Sequence, residues 1–237
     1  MRITYVLLAP ILVATIAANA AAAGTGTANI GRVMTQADQA ALTPDQVLAS
    51  LKQGNQRFLS GDITSRDHSA EVRSAASGQF PKAIVLSCVD SRIPVEDVFD
   101  RGIGDIFVAR VAGNFENTDI LGSMEFATLV SGAKLVLVMG HSDCGAVKAA
   151  IDGVELGNIT AMLENIQPAI DSLASYPGDK SSSNPEFVHM VTQRNIEISI
   201  ADIRMRSAVI SDLEKEGQVK IVGALYDMAT GEIAFID

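Results

Sequence analysis

The chain of 237 residues has 48% hydrophobic and 19% charged residues, a composition that supports a buried core and excludes an intrinsically disordered protein. Its formal net charge of −10, with no cluster of Lys and Arg, excludes a nucleic-acid-binding protein, because affinity for nucleic acid depends on neutralising phosphates.

The N-terminal segment 1–20 has the pattern of a secretory signal peptide. Arg2 precedes an apolar stretch, and the small residues Ala-Asn-Ala follow it at positions 18–20. An uncleaved membrane anchor is the alternative, but the apolar stretch is short for a span and Pro10 interrupts it. We therefore expect a mature protein that is periplasmic or secreted, with no stable membrane insertion once the signal is removed.

Residues 21–42 are small and polar, and they predict a linker or a loosely packed N-terminal arm ahead of one domain over residues 43–237. The domain should begin with a helix, because Thr43 suits the N-cap and Pro44 the first helical position. The apolar face of this helix comprises Val47, Leu48, Leu51 and Phe58, and Gly61 is expected to end it. We expect irregular structure in two segments. One follows the helix at 61–78, and the other joins the two halves of the domain at 157–179.

Short apolar runs predict strands that are buried on both faces, at residues 83–86, 106–111 and 135–139. Helical segments alternate with them, most clearly at 120–129 and 146–151. This alternation predicts an α/β fold with a central, mostly parallel β-sheet flanked by helices. A long helix around 187–213 follows, and a C-terminal hairpin of residues 219–226 and 232–236 is expected at the edge of the sheet.

Metal-binding side chains follow the ends of two predicted strands. Cys88 and Asp90 come after the first strand, and His141 and Cys144 come after the third. Because the carboxyl ends of parallel strands meet at one edge of a sheet, these side chains should converge. They offer the nitrogen, sulfur and oxygen ligands that zinc prefers. A disulfide between the two cysteines is the alternative for an exported chain, but it accounts for neither His141 nor Asp90.

The arginine at position 92 distinguishes a structural metal site from a catalytic one. A guanidinium two residues after Asp90 can hold that carboxylate in a bidentate clamp, away from the metal. Zinc would then keep three protein ligands and an open position, as in catalytic sites. Without the clamp, Asp90 would close the site. The spacing also permits the simpler interpretation that Arg92 forms only a surface salt bridge.

Four segments together resemble the β-class carbonic anhydrases, and the resemblance covers roughly residues 45–237. They are CVDSR, RGIGDIFVARVAGN, GSMEFATLVSGAKLVLVMGHSDCGAVKAAI and RNIEISIADIR. The paired motifs C-x-D-x-R and H-x-x-C-G are highly specific to that family. The resemblance implies reversible hydration of CO₂ to bicarbonate and a proton by a zinc-bound hydroxide.

The same resemblance assigns a role to each residue of the two paired motifs. It implies one Zn²⁺ per chain, bound by Cys88, His141 and Cys144. Asp90 and Arg92 would form a catalytic dyad that opens and closes the site, so that Asp90 is a metal ligand in the closed state only. Because two thiolates cancel the charge of zinc, activity should favour alkaline pH.

Two further residues belong to the substrate side of the site by resemblance. Gln79 matches a glutamine that reaches the pocket of the neighbouring subunit, which implies a homodimer or homotetramer. Gly145 stands where a side chain would crowd the bound oxygen. A CS₂ or COS hydrolase on the same scaffold, and a non-catalytic zinc-stabilised binding protein, are the alternatives that the sequence leaves open.

Overall fold

The computed structural model describes residues 32–236. The predicted signal peptide and most of the predicted arm lie outside this range. The described end of the arm contains helix α1, Gln36–Ala40. Its buried Gln39 donates hydrogen bonds from Nε2 to the carbonyl oxygens of Pro81 at 2.6 Å and Ser131 at 2.7 Å. This end of the arm is therefore packed against the domain, whereas the sequence predicted a loose one.

A sheet of five strands in the order β2-β1-β3-β4-β5 forms the centre of the domain. The strands are β1 Ala83–Ser87, β2 Ile106–Arg110, β3 Leu135–His141, β4 Lys220–Tyr226 and β5 Ile233–Ile236. The first four run parallel and β5 pairs antiparallel with β4, so the predicted sheet and its C-terminal edge hairpin are confirmed.

The burial of the strands follows their position in the sheet. Every residue of β1 and β3 is buried, as the continuous apolar runs predicted. The residues of β2 are only partly buried or exposed, so the prediction that this strand is buried on both faces is wrong. The physical reason is its place at the edge, where it pairs with β1 alone among the strands of residues 32–236.

The helices cover both faces of the sheet. After α1 they are α2 Pro44–Ser60, α3 His68–Ala75, α4 Val95–Val98, α5 Thr118–Glu125, α6 Gly145–Ile151, α7 Gly157–Leu163, α8 Gln167–Ser172, α9 Pro185–Arg206 and α10 Ala208–Lys215, with a π-helical turn at Phe126–Val130. Thr43 caps α2 and Gly61 ends it in a left-handed conformation with φ of 74°, as predicted. None of the helices within residues 32–236 is long and apolar enough to cross a membrane.

Three helical predictions need correction. The segment 61–78 is not wholly irregular, because Asp67 caps α3 by accepting a hydrogen bond from the amide of Ala70 at 3.0 Å. The segment 157–179 contains α7 and α8. The long helix predicted around 187–213 is interrupted at Ser207, whose hydroxyl caps α10. These elements are short or interrupted, so they lack the sustained apolar periodicity from which helices are predicted.

Two apolar layers form the core, one on each face of the sheet. Leu51 of α2, Val147 of α6 and Phe187 of α9 lie in one layer. Met124 of α5 and Ile203 of α9 lie in the other. Both faces of the central strands are thus covered, and the polar ends of those strands are left as the place for a site.

Candidate metal centre

Three side chains with metal-binding atoms meet at the carboxyl ends of β1 and β3. Cys88 follows β1, His141 is the last residue of β3, and Cys144 is the N-cap of α6. Their ligand atoms all lie within 4.8 Å of one another, and all three residues are buried. The adjacent pairing of β1 with β3 brings the strand ends together. Asp143 then makes the tight turn between His141 and Cys144, with a φ of 62°.

The ring of His141 is oriented for binding a cation. Its Nδ1 lies 2.9 Å from the carbonyl oxygen of Ser142. A carbonyl oxygen can only accept, so Nδ1 carries the proton and Nε2 presents its lone pair. Nε2 is buried and has no hydrogen-bond partner among the described residues. A buried ring nitrogen without a partner, beside two sulfurs, fits a metal ligand.

The two cysteines are not joined in a disulfide, and their surroundings stabilise negative charge. The hydrogen bond from the Cys144 thiol outweighs burial and lowers the pKa of Cys88 to about 4. That value already includes smaller contributions from His141 and from the amide of Gly113, which lies 3.4 Å from Cys88 Sγ. The same shared proton, together with burial, raises the pKa of Cys144. A cluster that readily holds a thiolate suits a soft divalent cation.

The carboxylate of Asp90 is held by Arg92 rather than by the cluster. Arg92 donates from Nε to Oδ1 at 2.9 Å and from Nη2 to Oδ2 at 2.7 Å. The amide of Arg92 donates to the same Oδ1 at 3.0 Å. These bonds hold the pKa of Asp90 well below its usual range, so the carboxylate is ionised at neutral pH. Asp90 is not a member of the metal-binding cluster in this arrangement.

Two supporting residues were not predicted from the sequence. Arg110, at the end of β2, donates hydrogen bonds to the carbonyl oxygens of Cys88, Asp90 and Ile93 at 2.8, 2.8 and 2.9 Å. The buried Asn195 of α9 donates to the carbonyl oxygen of Gly113 at 2.8 Å. Both lie in the segments that resemble the family. Their partners are backbone carbonyl oxygens, however, and such contacts do not depend on the identity of the partner residue, so the sequence does not reveal them.

The two predicted substrate-side residues lie in different places. Gln79 is exposed and precedes β1, whereas Cys88 follows that strand. A strand of five residues spans about 16 Å, so Gln79 is at the opposite end of the strand from the metal-binding cluster. Gly145 follows Cys144 directly, and a Cβ built there meets no heavy atom within 4 Å. Open space therefore adjoins Gly145.

Comparison with known proteins identifies a family to which this chain is similar. A family model described as carbonic anhydrase matches residues 83–233. The chain is similar to carbonic anhydrase 2 of Mycobacterium tuberculosis, with 34% identity over 79% of this chain and 90% of the relative. It is also similar to a carbonic anhydrase of Mycolicibacterium smegmatis, with 34% identity over 78% and 89% of the two chains. Among solved structures, a tetrameric β-carbonic anhydrase of Sordaria macrospora superposes with a TM-score of 0.62 and 26% identity, covering 70% of this chain and 85% of that one.

Proposed function

This chain belongs to the β-class carbonic anhydrases, and on that premise we propose that it binds one zinc ion through Cys88, His141 and Cys144 and uses it to hydrate CO₂ reversibly to bicarbonate. The observation that carries the proposal is the buried cluster of three ligands beside a carboxylate that Arg92 holds away from it.

The donor set fits zinc. Two sulfurs and one imidazole nitrogen select soft or borderline cations over magnesium and calcium, which prefer oxygen. The fixed tautomer of His141 and the hydrogen bond from the Gly113 amide to Cys88 prepare both ligands before any metal arrives. A bound zinc ion supplies the Lewis acidity that makes water a nucleophile near neutral pH.

The residues around the cluster provide the acceptor that the reaction needs. Asp90 is ionised, so it can accept a hydrogen bond from the attacking water and orient that water toward the carbon of CO₂. Arg92 keeps the carboxylate charged and in place. This arrangement supports a catalytic site with an open position over a non-catalytic protein in which four side chains enclose the metal.

A second copy of the chain is part of the proposal. Gln79 precedes β1, at the end of the strand opposite the cluster of its own chain, so its predicted role in a substrate pocket requires a neighbouring subunit. We propose a homodimer or homotetramer, and the tetrameric relative from Sordaria macrospora supports the larger assembly. Light scattering of the purified protein gives the mass of the assembly. A monomer that is fully active would contradict the role of Gln79.

The N-terminal pattern supports a proposal about location. The apolar stretch that precedes the Ala-Asn-Ala pattern at 18–20 favours export to the periplasm or beyond. N-terminal sequencing of the protein from its native host should find a start near Ala21. A soluble cytosolic form that starts at Met1 would contradict export.

Turnover measured together with metal content tests the proposed activity. The purified mature chain should contain about one zinc ion and should hydrate CO₂ in a stopped-flow assay with a pH indicator. Parallel assays with CS₂ and COS test the sulfur substrates on the same preparation. Turnover of CS₂ without turnover of CO₂ would assign the chain to the sulfur hydrolases, and bound zinc without any turnover would indicate a binding protein. A disulfide between Cys88 and Cys144 in active protein would refute the metal site.

A further inference from the structure

Arg110 connects the end of β2 to the segment that carries the first metal ligand and the Asp90–Arg92 pair. It lies opposite Ser87 in the parallel pairing of β1 and β2. Its guanidinium donates from Nε to the carbonyl oxygen of Cys88 at 2.8 Å, and from Nη2 to those of Asp90 at 2.8 Å and Ile93 at 2.9 Å. One side chain therefore holds three successive points of the Cys88–Ile93 segment.

The geometry of a guanidinium makes these contacts restrictive. Its N–H donors lie in one rigid plane, so binding three carbonyl oxygens fixes the positions of those oxygens relative to one another. Ile93 is fully buried, which anchors the far end of the segment in the core. The burial of Ile93 fixes one end of the segment, and the bonds of Arg110 to the carbonyl oxygens of Cys88 and Asp90 fix the other end, which adjoins the metal-binding cluster.

Arg92 holds the Asp90 carboxylate, but it cannot fix the backbone of the segment that carries both residues. Arg92 belongs to the same segment as Asp90, so the two can move together without breaking their ion pair. Arg110 lies on a different strand and provides a fixed point outside the segment. The distance between the Asp90 carboxylate and the cluster therefore depends on Arg110 as well as on Arg92.

We propose that Arg110 is a positioning residue that keeps the Asp90 carboxylate away from the metal by fixing the backbone of residues 88–93. This inference rests on the proposed function, in which the metal has an open position. When Arg110 is removed, the segment is free to shift and Asp90 occupies that position in most of the molecules.

Azide binding to the Co²⁺-loaded protein measures this competition without turnover. Azide needs an open metal position, and visible absorption of Co²⁺ reports its binding. If only a fraction of the molecules is open, the apparent Kd for azide rises in inverse proportion to that fraction. Arg110→Met should keep about one metal per chain and bind azide about tenfold more weakly than the wild type.

Two further variants separate position from charge and from general damage. Arg110→Lys keeps the positive charge that attracts azide but lacks the planar set of separated donors, Nε and Nη2, that binds the three carbonyl oxygens, so we expect affinity weakened about threefold to fivefold. Arg204→Met removes another bidentate arginine, whose Nε and Nη2 each lie 2.8 Å from a carboxylate oxygen of Glu214. This control should leave azide affinity within about twofold of the wild type.

A double-mutant cycle tests whether Arg110 acts through Asp90. An amide is a weak metal ligand, so in the Asp90→Asn background the change Arg110→Lys should no longer weaken azide binding. A loss of the same size in both backgrounds would show that Arg110 acts by another route and would overturn the proposal.

If Arg110→Met fails to fold or loses its metal, the Arg110→Lys variant provides the test instead. Wild-type azide affinity in Arg110→Lys would overturn the inference, whatever the result for CO₂. A wild-type protein that binds azide but does not hydrate CO₂ would instead contradict the proposed function, because the azide measurement does not depend on turnover.

Discussion

Arg92 and Asp90 form a bidentate ion pair in which Nε lies 2.9 Å from Oδ1 and Nη2 lies 2.7 Å from Oδ2. The Arg92 side chain is 55% exposed whereas that of Asp90 is 16% exposed, so the pair lies at the edge of the site with its carboxylate directed inward. An exposed pair of this kind contributes little to stability. The pair instead fixes the position of the carboxylate, because Arg92 binds both oxygens of Asp90.

Replacing Arg92 therefore should affect activity far more than stability. We expect Arg92→Ala to retain its zinc and to lose CO₂ hydration by at least about a hundredfold, because the freed carboxylate can occupy the open metal position. Stopped-flow hydration and metal analysis on the same sample measure both quantities. Arg73→Ala, at an exposed arginine of α3, is the matched control. Near-normal activity with full zinc would show that the pair is only a surface salt bridge.

The pKa of Asp90 is too low for protonation of this carboxylate to cause a change in activity near neutral pH. Hydrogen bonds from Arg92 keep the carboxylate ionised, so its own protonation belongs well below pH 4 and not to the neutral range. We expect wild-type activity to rise between about pH 7.5 and 8.5, since two thiolate ligands acidify the attacking water less than three histidines would. Asp90→Asn should lower activity about tenfold or more at every pH and move the midpoint of the rise to lower pH, because an amide cannot close the site. A profile of CO₂ hydration from pH 6 to 9 tests this, and an unchanged midpoint would separate Asp90 from the rise.

Removing the metal should destabilise the fold. The cluster is fully formed in the folded chain, so a metal that binds only the folded state adds about 4 kcal/mol at a free concentration of a thousand times its Kd. Dialysis against a chelator should lower the thermal midpoint, and returned zinc should restore it. Cys144→Ser removes one ligand and should abolish this dependence. If the midpoint of thermal unfolding of the wild-type protein does not change with the chelator, the cluster does not hold a metal.

The parts of the site that the sequence predicts are those that combine a strand end with a reactive side chain. Cys88 and His141 stand at the ends of short apolar runs that predict buried strands, and the parallel arrangement brings those ends together. Cys144 is three residues beyond His141 and so returns to the same point. Each of these placements follows from local patterns in the chain.

The remaining parts depend on long-range contacts that local patterns do not show. Arg110 binds carbonyl oxygens, and every residue has one, so no partner can be identified in advance. The burial of Asp100 is another case, since its partners lie 34 to 43 residues away in the chain. The edge position of β2 also could not be predicted, because its first four residues form an apolar run like that of a central strand.

Asp100 should contribute to stability in a manner that depends on pH. Burial alone would raise its pKa, but hydrogen bonds from Thr64, Arg66 and Arg57 outweigh burial and hold the pKa at about 2. The Asp100 side chain is fully buried in this network, and Arg57 Nε lies 2.5 Å from Oδ2. Because the folded pKa lies below the unfolded value of about 3.9, the stabilisation is complete above that value and is lost as pH falls toward 2.

Asp100→Asn measures this contribution. Asn tolerates the φ of 50° at this position, so the backbone should not change. We expect a loss of about 2–3 kcal/mol in the free energy of unfolding at pH 7, which shrinks as pH falls from about 4 to 2. Urea unfolding at several pH values tests this. Asp45→Asn, in an exposed ion pair with Lys220, should cost less than about 0.5 kcal/mol at any pH. A loss at Asp100 that does not change with pH would show that its charge is not what stabilises the network.

A methyl group added at Gly54 is expected to disturb the packing, whereas one added at Gly145 is expected to disturb the reaction. A Cβ at Gly54 of α2 would lie 1.9 Å from the carbonyl oxygen of Phe99, a backbone atom that cannot move aside. Gly54→Ala should therefore cost about 3 kcal/mol or more, or prevent folding. A Cβ at Gly145 meets no heavy atom within 4 Å, so Gly145→Ala should change the free energy of unfolding by less than about 1 kcal/mol.

The space beside Gly145 is, however, expected to hold reactants. A methyl group next to Cys144 would crowd a small molecule bound at the cluster, and we expect Gly145→Ala to lower CO₂ hydration about tenfold or more while zinc content stays the same. Gly122→Ala is the matched control, since Gly122 is an exposed helical glycine of α5 whose Cβ also meets nothing within 4 Å. It should gain about 0.5–1 kcal/mol from helix propensity and keep full activity. Urea unfolding and stopped-flow hydration on the three variants separate the two effects. Full activity in Gly145→Ala would show that the reactants do not use this space.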